Sequence, residues 1–254
     1  MVINVLNKSK KFAYDNIGGE KYMQRINRTL LIVILVIFIG YSLIFSALHM
    51  KATNAFNANG KKVILIDPGH GGVDGGASSS SGTLEKHIAL EISLKLRDEL
   101  KDLGYYVVMT REEDKGLYNQ GSIKQKKIED LNNRVKMKSE TNCDAFISIH
   151  LNKFTQAQYF GAEVWYSNRE DSKEMAALIM KYLKSGIDNG NKRTNKPAKG
   201  KYKVLRCNDN MPGVIVECGF LSNPNEEKLL KSEMYQTKLA MLIARGIDEY
   251  FNDK

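Results

Sequence analysis

The sequence is poor in cysteine and histidine. Three cysteines in 254 residues (Cys143, Cys207 and Cys218) are too few, and odd in number, for a disulfide-stapled scaffold. Four histidines (His49, His70, His87 and His150) leave little choice for any site that needs more than one imidazole. Internal repeats and low-complexity tracts are absent, so no solenoid or disordered polymer is expected. Several chemical signatures are missing as well. The glycine-rich stretch at 67–77 fails the register of a dinucleotide fingerprint, and no Gly-Lys-Ser/Thr completes a phosphate loop. No Gly-x-Ser-x-Gly elbow and no His-Glu-x-x-His helix occurs. Cys143 and Cys218 sit against apolar strands and read as small buried hydrophobes rather than nucleophiles.

What is present first is charge. The chain carries 38 basic and 29 acidic residues, net +9. Residues 1–60 hold seven basic and two acidic residues, net +5, whereas 61–254 hold 31 and 27, net +4. Most of the excess therefore surrounds one feature, an uncharged run of 19 residues at 30–48, LLIVILVIFIGYSLIFSAL. About 20 apolar residues cross a bilayer. Lys21, Arg25 and Arg28 precede the run and should stay on the cytoplasmic side. The expected organisation is a cytoplasmic basic segment at 1–29 and a transmembrane anchor or signal segment at 30–48. A linker at 49–60 and one domain at 61–254 follow. An uncleaved anchor fits the run better than a cleaved signal, because the run is long and its cleavage sites are imperfect. Either way the domain lies outside the cytoplasm. Nucleic acid, the partner that net charge alone would suggest, is not expected there.

Beyond residue 60, short apolar strands alternate with helices. Strands are expected at Val63–Ile66, Tyr105–Met109, Ala145–Ile149, Ala162–Tyr166 and Val214–Val216. Helices are expected at 84–103, 128–139, 172–187, 225–230 and 235–251. Leu117–Lys127 and Gly190–Lys203 read as loops, and Gly104 as a helix stop. In the helix at 128–139, Leu131, Val135 and Met137 are the partly periodic apolar positions. The pattern predicts an α/β domain with a mixed, mostly parallel sheet and helices on both faces.

Three polar side chains follow strands directly: His70 after VILIDPG, His150 after AFISI, and Glu217 after GVIV. Ligands of α/β sheets bind beyond the carboxyl ends of strands. Glu85 opens the first long helix after the glycine-rich turn and can return to the same edge. Two imidazoles and one carboxylate, with a second carboxylate for proton transfer, match the donor set of catalytic zinc. The spacing alone does not decide for metal. Glu85 also suits a helix first turn capped by Thr83, and His87 reads as a surface residue. A lone carboxylate is hardest to explain at Glu217, in apolar surroundings.

Four segments carry a resemblance: ILIDPGHGGVDGGA (64–77), GTLEKHIALEISLKL (82–96), FISIHLN (146–152) and MPGVIVECGFLSNPNEEKLL (211–230). In this order they resemble the zinc-dependent N-acetylmuramoyl-L-alanine amidases of the amidase-3 type. The resemblance implies Zn2+ held by His70, Glu85 and His150, with Glu217 catalytic. It implies Arg206 and Asn152 in substrate binding. Asp74, Asn152 or a main-chain carbonyl is expected to support the imidazole rings. The implied substrate is the peptidoglycan amide between the lactyl group of N-acetylmuramic acid and L-alanine. The single N-terminal apolar segment, with no wall-binding repeat, resembles the sporulation and germination branch. That branch implies a membrane tether, a role in muramic-δ-lactam formation and an accessory sporulation protein as a possible partner. Two readings compete: a membrane-tethered, non-catalytic peptidoglycan-binding protein of the same fold, and a metallopeptidase cutting within the stem peptide.

Overall fold

β1 (Val63–Pro68) is a strand with both faces covered: all six residues are buried, as an unbroken apolar run requires in a parallel sheet. The computed structural model describes residues 30–42, 60–187 and 190–253. Residues 30–42 form helix α1, with its apolar side chains exposed. No helix among the described residues is long and apolar enough to cross a membrane. The remainder of the predicted 30–48 span, the 1–29 segment and nearly all of the 49–60 linker lie outside the described residues.

The domain from Asn59 onward is one compact unit. After β1 come α2 (Glu85–Asp102), β2 (Tyr106–Met109), α3 (Ile123–Glu140), β3 (Ala145–Asn152) and β4 (Glu163–Tyr166). Then follow α4 (Glu170–Ile187), β5 (Lys196–Pro197), α5 (Lys203–Arg206), β6 (Gly213–Phe220), α6 (Pro224–Leu230) and α7 (Glu233–Asn252). The sheet order is β2-β1-β3-β6-β4-β5. Every pairing is parallel except β4 against β6. The mixed, mostly parallel sheet agrees with the sequence reading.

Alternation along the strands divides the core in two. Ile64, Ile66, Ile147, Ile149, Val214 and Val216 face one way, onto α2, α4 and α7. Val63, Leu65, Phe146 and Ile215 face the other way, toward α5 and α3. α2 behaves as its periodicity predicts: Ile88, Ile92, Leu96 and Leu100 are buried. It ends at Gly104 (φ +94), whose N–H donates to Lys101 O while Tyr105 N–H donates to Leu100 O. That paired closure uses the left-handed conformation glycine adopts freely.

Several local expectations are corrected. Thr83 does not cap α2; the cap position is Leu84, without a side-chain bond, and the Thr83 hydroxyl donates to Glu227 instead. The 117–127 loop is shorter than expected, because Ser122 and Gln125 form a reciprocal capping box that starts α3 at Ile123. The 190–203 loop contains the short strand β5, and α5 begins at its end. The largest correction concerns the inner face of α3. Its buried residues are Asp130, Arg134 and Lys138, whereas Leu131 is exposed. The i, i+4 spacing is helical as expected, but the stripe is charged.

Candidate metal centre

β1 and β3 run side by side with Pro68 opposite Ile149. Their carboxyl ends therefore deliver His70 and His150 to one place, with ring centroids 4.9 Å apart and planes at 80°. Glu85, the first residue of α2, reaches between them. Its Oε2 lies 3.1 Å from His70 Nε2 and its Oε1 lies 2.8 Å from His150 Nδ1. One donor atom from each residue falls within 4.8 Å of the others. Two glycines make the approach possible. A Cβ on Gly69 would stand 2.5 Å from the His150 ring, and one on Gly76 (φ +69) would stand 2.5 Å from Glu85 Oε2. Neither gap admits a methyl group, so the glycine-rich turn is needed for close packing around the donors.

The donors are fixed from behind. His70 Nδ1 is 2.9 Å from Asp74 Oδ2, and the other Asp74 oxygen accepts from Lys127 at 2.8 Å. Glu85 accepts from Ala77 N–H and Leu151 N–H at 2.7 and 2.9 Å. Asp74 thus supplies the ring support expected of Asp74 or Asn152. Asn152 does not reach a ring; its amide donates to Glu163 and its oxygen accepts from Lys153 N–H.

His70 itself has a left-handed backbone (φ +61), unusual for a residue with a side chain. Two buried guanidinium groups hold the turn in that form. Arg134 donates to Pro68 O and His70 O at 2.8 and 2.5 Å. Arg111 donates to Gly69 O and His70 O at 2.7 and 2.8 Å. Asp67, fully buried, anchors Arg134 at 2.5 Å and accepts from Thr110 and Ser148. Its carboxyl stays below the usual range: burial opposes ionisation, and Arg134 with the two hydroxyls overcomes it. Sequence reading missed Asp67, Arg111 and Arg134. The available signal was Asp67 itself, a carboxylate at the end of a fully apolar strand that requires a cation.

Glu217 stands beside His150 in the register of β3 and β6, and opposite Glu163 of β4. It is 8% exposed, and its Oε2 is buried without a hydrogen-bond partner. Glu163 differs, being paired with Arg193 and Lys196 at 2.9 and 3.0 Å. Burial first pushes the Glu217 carboxyl up; the His150 charge opposes this, Glu85 and Glu163 add to it, and the value reaches about 7. Before a cation is added, His70 is raised to about 9: burial opposes protonation but the Asp74 and Glu85 carboxylates prevail. Glu85 is lowered because the two imidazoles outweigh its burial. The cluster thus holds positive charge on the His70 ring, a role that a cation between the donors can take over.

The donor set fits zinc. A tetrahedral ion with ligands at ~2.0–2.2 Å needs donor atoms roughly 3–3.5 Å apart. The His–Glu separations of 2.8 and 3.1 Å run to the two different oxygens of Glu85, one donor atom from each residue lies within 4.8 Å of the others, and the unpartnered Glu217 oxygen lies in the neighbouring strand.

A cavity of about 430 Å³ opens over His70 and His150, and Arg206 and Tyr202 line it with them. Val204 and Leu205 are buried in the second core. His87 is exposed. Cys143 and Cys218 are buried, with burial pushing both thiols up, Cys143 to about 11. A raised thiol is a poor nucleophile, in line with the sequence reading.

The model of the N-acetylmuramoyl-L-alanine amidase family matches residues 64–249. The chain is 39% identical over 196 residues to the germination-specific N-acetylmuramoyl-L-alanine amidase of Bacillus subtilis (strain 168), covering 76% of this chain and 81% of the relative. It is 33% identical to the N-acetylmuramoyl-L-alanine amidase AmiC of Neisseria meningitidis, covering 76% of this chain and 54% of that one. Among solved structures it resembles the CwlD amidase from Clostridioides difficile in complex with the GerS lipoprotein. The TM-score is 0.73 at 40% identity, covering 76% of this chain and all of that chain. The chain belongs to the N-acetylmuramoyl-L-alanine amidase family and is an enzyme of that family.

Proposed function

We propose that the protein hydrolyses the amide between the lactyl group of N-acetylmuramic acid and L-alanine in peptidoglycan. In this reading His70, Glu85 and His150 hold zinc and Glu217 carries the proton. One observation supports it above the others: a buried carboxylate oxygen without a partner, one strand from a three-donor cluster. A purely structural carboxylate in that position would be paired, as Glu163 is. Zinc, when bound, supplies Lewis-acid polarisation of the carbonyl and eases loss of a proton from water. The chain's own residues supply the rest. Asp74 accepts from His70 Nδ1–H, leaving Nε2 as the donor atom. Glu217 takes a proton from the attacking water and passes it to the alanine nitrogen as the C–N bond breaks. The lactyl group leaves as a carboxylate and L-alanine as an amine. A carboxyl group with a raised proton affinity suits both halves of that transfer.

The similarity to a germination-specific amidase supports a narrower reading. In it, the stem peptide is removed in spore cortex on the way to muramic-δ-lactam. The apolar segment at 30–48 tethers the domain on the outer side of a membrane. A solved relative in complex with a lipoprotein supports an accessory protein as partner. Arg206, on the cavity wall, binds substrate. Asn152, hydrogen-bonded to Glu163, acts on that carboxylate beside Glu217.

Mass spectrometry of peptidoglycan digested by the zinc-loaded protein tests the reading. Stem peptides beginning with free L-alanine, lost on chelation and restored by zinc, are expected. Products with L-alanine still attached to muramic acid would instead mark a peptidase. No product, with zinc bound in equal proportion, would mark a non-catalytic binding protein.

A further inference from the structure

The cavity over the two histidines has unequal walls. On one side its acids are neutralised within the protein: Asp67 and Asp130 by Arg134, and Asp74 by His70 and Lys127. On the other side Lys201, Lys203 and Arg206 line the same space. Among the described residues, none of these three meets a carboxylate within ion-pair distance. Lys201 lies over the rings of Trp165 and Tyr202, at 5.1 and 5.0 Å. Lys203 donates to the Asn132 side chain, and Arg206 donates to Gly200 O at 3.0 Å. Three cations therefore line the cavity with only neutral partners of their own. Lys201 and Arg206 are exposed, but the backbone that carries them is anchored. Lys138, fully buried, donates to Val204 O and Cys207 O at 2.9 Å each, at the carboxyl end of α5. It holds from beneath the helix that carries Lys203 and Arg206. The wall also adjoins the reaction centre: burial and the Glu217 charge together push the Tyr202 phenol up.

We propose that the 201–206 wall is a carboxylate subsite that selects stem peptides with a free acid close to the scissile amide. This rests on the amidase reading above. L-alanine, the first stem residue, is followed by a D-glutamyl residue whose α-carboxyl is either free or amidated. Chains also differ at the third residue, which either carries a second acid or does not. The first is a carboxylate close to the reacting carbonyl and the second lies further along the stem, and a guanidinium or ammonium group binds either. The α-amide presents no charge at that position and leaves the cations unanswered there, a difference that a site with otherwise neutral partners can read.

The test uses muramoyl peptides whose chain-terminal carboxyl group is capped as an amide, in matched pairs: L-Ala-D-Glu against L-Ala-D-isoglutamine, each also extended by lysine or by diaminopimelate with its side-chain acid free. Equilibrium binding is measured on the zinc-loaded full chain carrying Glu217→Gln, and kcat/KM on the wild type. A preference of about tenfold or more for the free acid is expected, the size of one charge-assisted contact. It should weaken with added salt. Lys201→Gln combined with Arg206→Gln should bring the ratio toward 1 by lowering affinity for the acid form. A ratio carried by the second residue places the subsite there; one carried by the third places it one residue further. Equal binding of all peptides, or equal weakening of both forms by the double variant, overturns the proposal. Selective binding without cleavage by the wild type would overturn the amidase reading while keeping the subsite.

Discussion

The two faces of the sheet are built from different chemistry. Against one face lie α2, α4 and α7, joined through an apolar core of isoleucine, leucine and valine. Against the other lies α3, whose inward residues are Asp130, Arg134 and Lys138. Both helices follow the same i, i+4 rule, and both are long. The difference lies in what they must hold. Beyond its first residue, Glu85, α2 closes over side chains that need only to leave water. α3 closes over backbone carbonyls: those of Pro68 and His70 in the ligand turn, and those of Val204 and Cys207 at the cavity wall. Carbonyls buried at a functional edge need donors, and Arg134 and Lys138 supply them. One face thus carries mostly stability and the other the geometry of the site.

The largest effect that could sharpen this division lies at the site itself. Glu217→Gln should reduce turnover by about 10²–10⁴-fold, the range for loss of a general acid–base group, while zinc content stays equal. Normal turnover in a verified Glu217→Gln protein would remove its assigned role. Next comes a pair of core variants. Arg134→Met leaves Asp67 buried without its cation and should cost about 3–5 kcal/mol, with zinc affinity falling as the His70 turn loosens. Leu96→Ala on the other face should cost about 2–5 kcal/mol by cavity formation and leave zinc affinity nearly untouched. Thermal melts read the first quantity and competition with a chelator the second. Equal losses of zinc affinity would break the division between the faces.

A smaller effect concerns pH in the zinc-free protein. The Glu217 carboxyl is raised from an ordinary 4.5 to about 7 in the fold. Below pH 4.5 both folded and unfolded chains hold that proton. Between 4.5 and 7 only the folded chain keeps it, so this group's contribution is lost as pH rises through that window. Glu217→Gln should therefore be nearly neutral at pH 4 and gain on the wild type toward pH 8, by roughly 3 kcal/mol. A constant difference in denaturant midpoints across that range would show that Glu217 is not desolvated. The smallest effect is expected at Asp74→Asn: a loss of about 10–100-fold in zinc affinity, measured by chelator competition, with little change in melting temperature.

Much of this was legible in residue order. The strands beginning at Val63, Ala145 and Gly213 announced themselves as short apolar runs, and the polar residues just past or within their ends are the ones that meet. Glu85 was placed by its position at the start of α2 after a glycine turn. The inner face of α3 was not legible. Of its apolar residues, Val135 and Met137 do pack against the second core while Leu131 is exposed, and hydrophobic periodicity has no means of favouring the charged stripe beside them. Apart from Asp130, one turn before Arg134, the partners that make Arg134 and Lys138 acceptable inside are 64–69 positions away in the chain. A longer separation, 144–148 positions, hid Glu227, which accepts from Ser79, Ser81 and Thr83 and took Thr83 from the cap expected of it.

The sequence by itself determined the alternation of strands and helices, the apolar run at 30–48, and the few residues able to form a metal site. Those are matters of local composition and period, fixed by side-chain chemistry along one segment. Only the tertiary structure decided which carboxylates are paired and which is left alone. Glu163 and Glu217 face each other across two strands, each in an apolar context, yet Arg193 and Lys196 reach Glu163 while Glu217 Oε2 meets no partner. The protonation of a buried carboxylate depends on the charges that surround it in space, and chain order does not specify those distances.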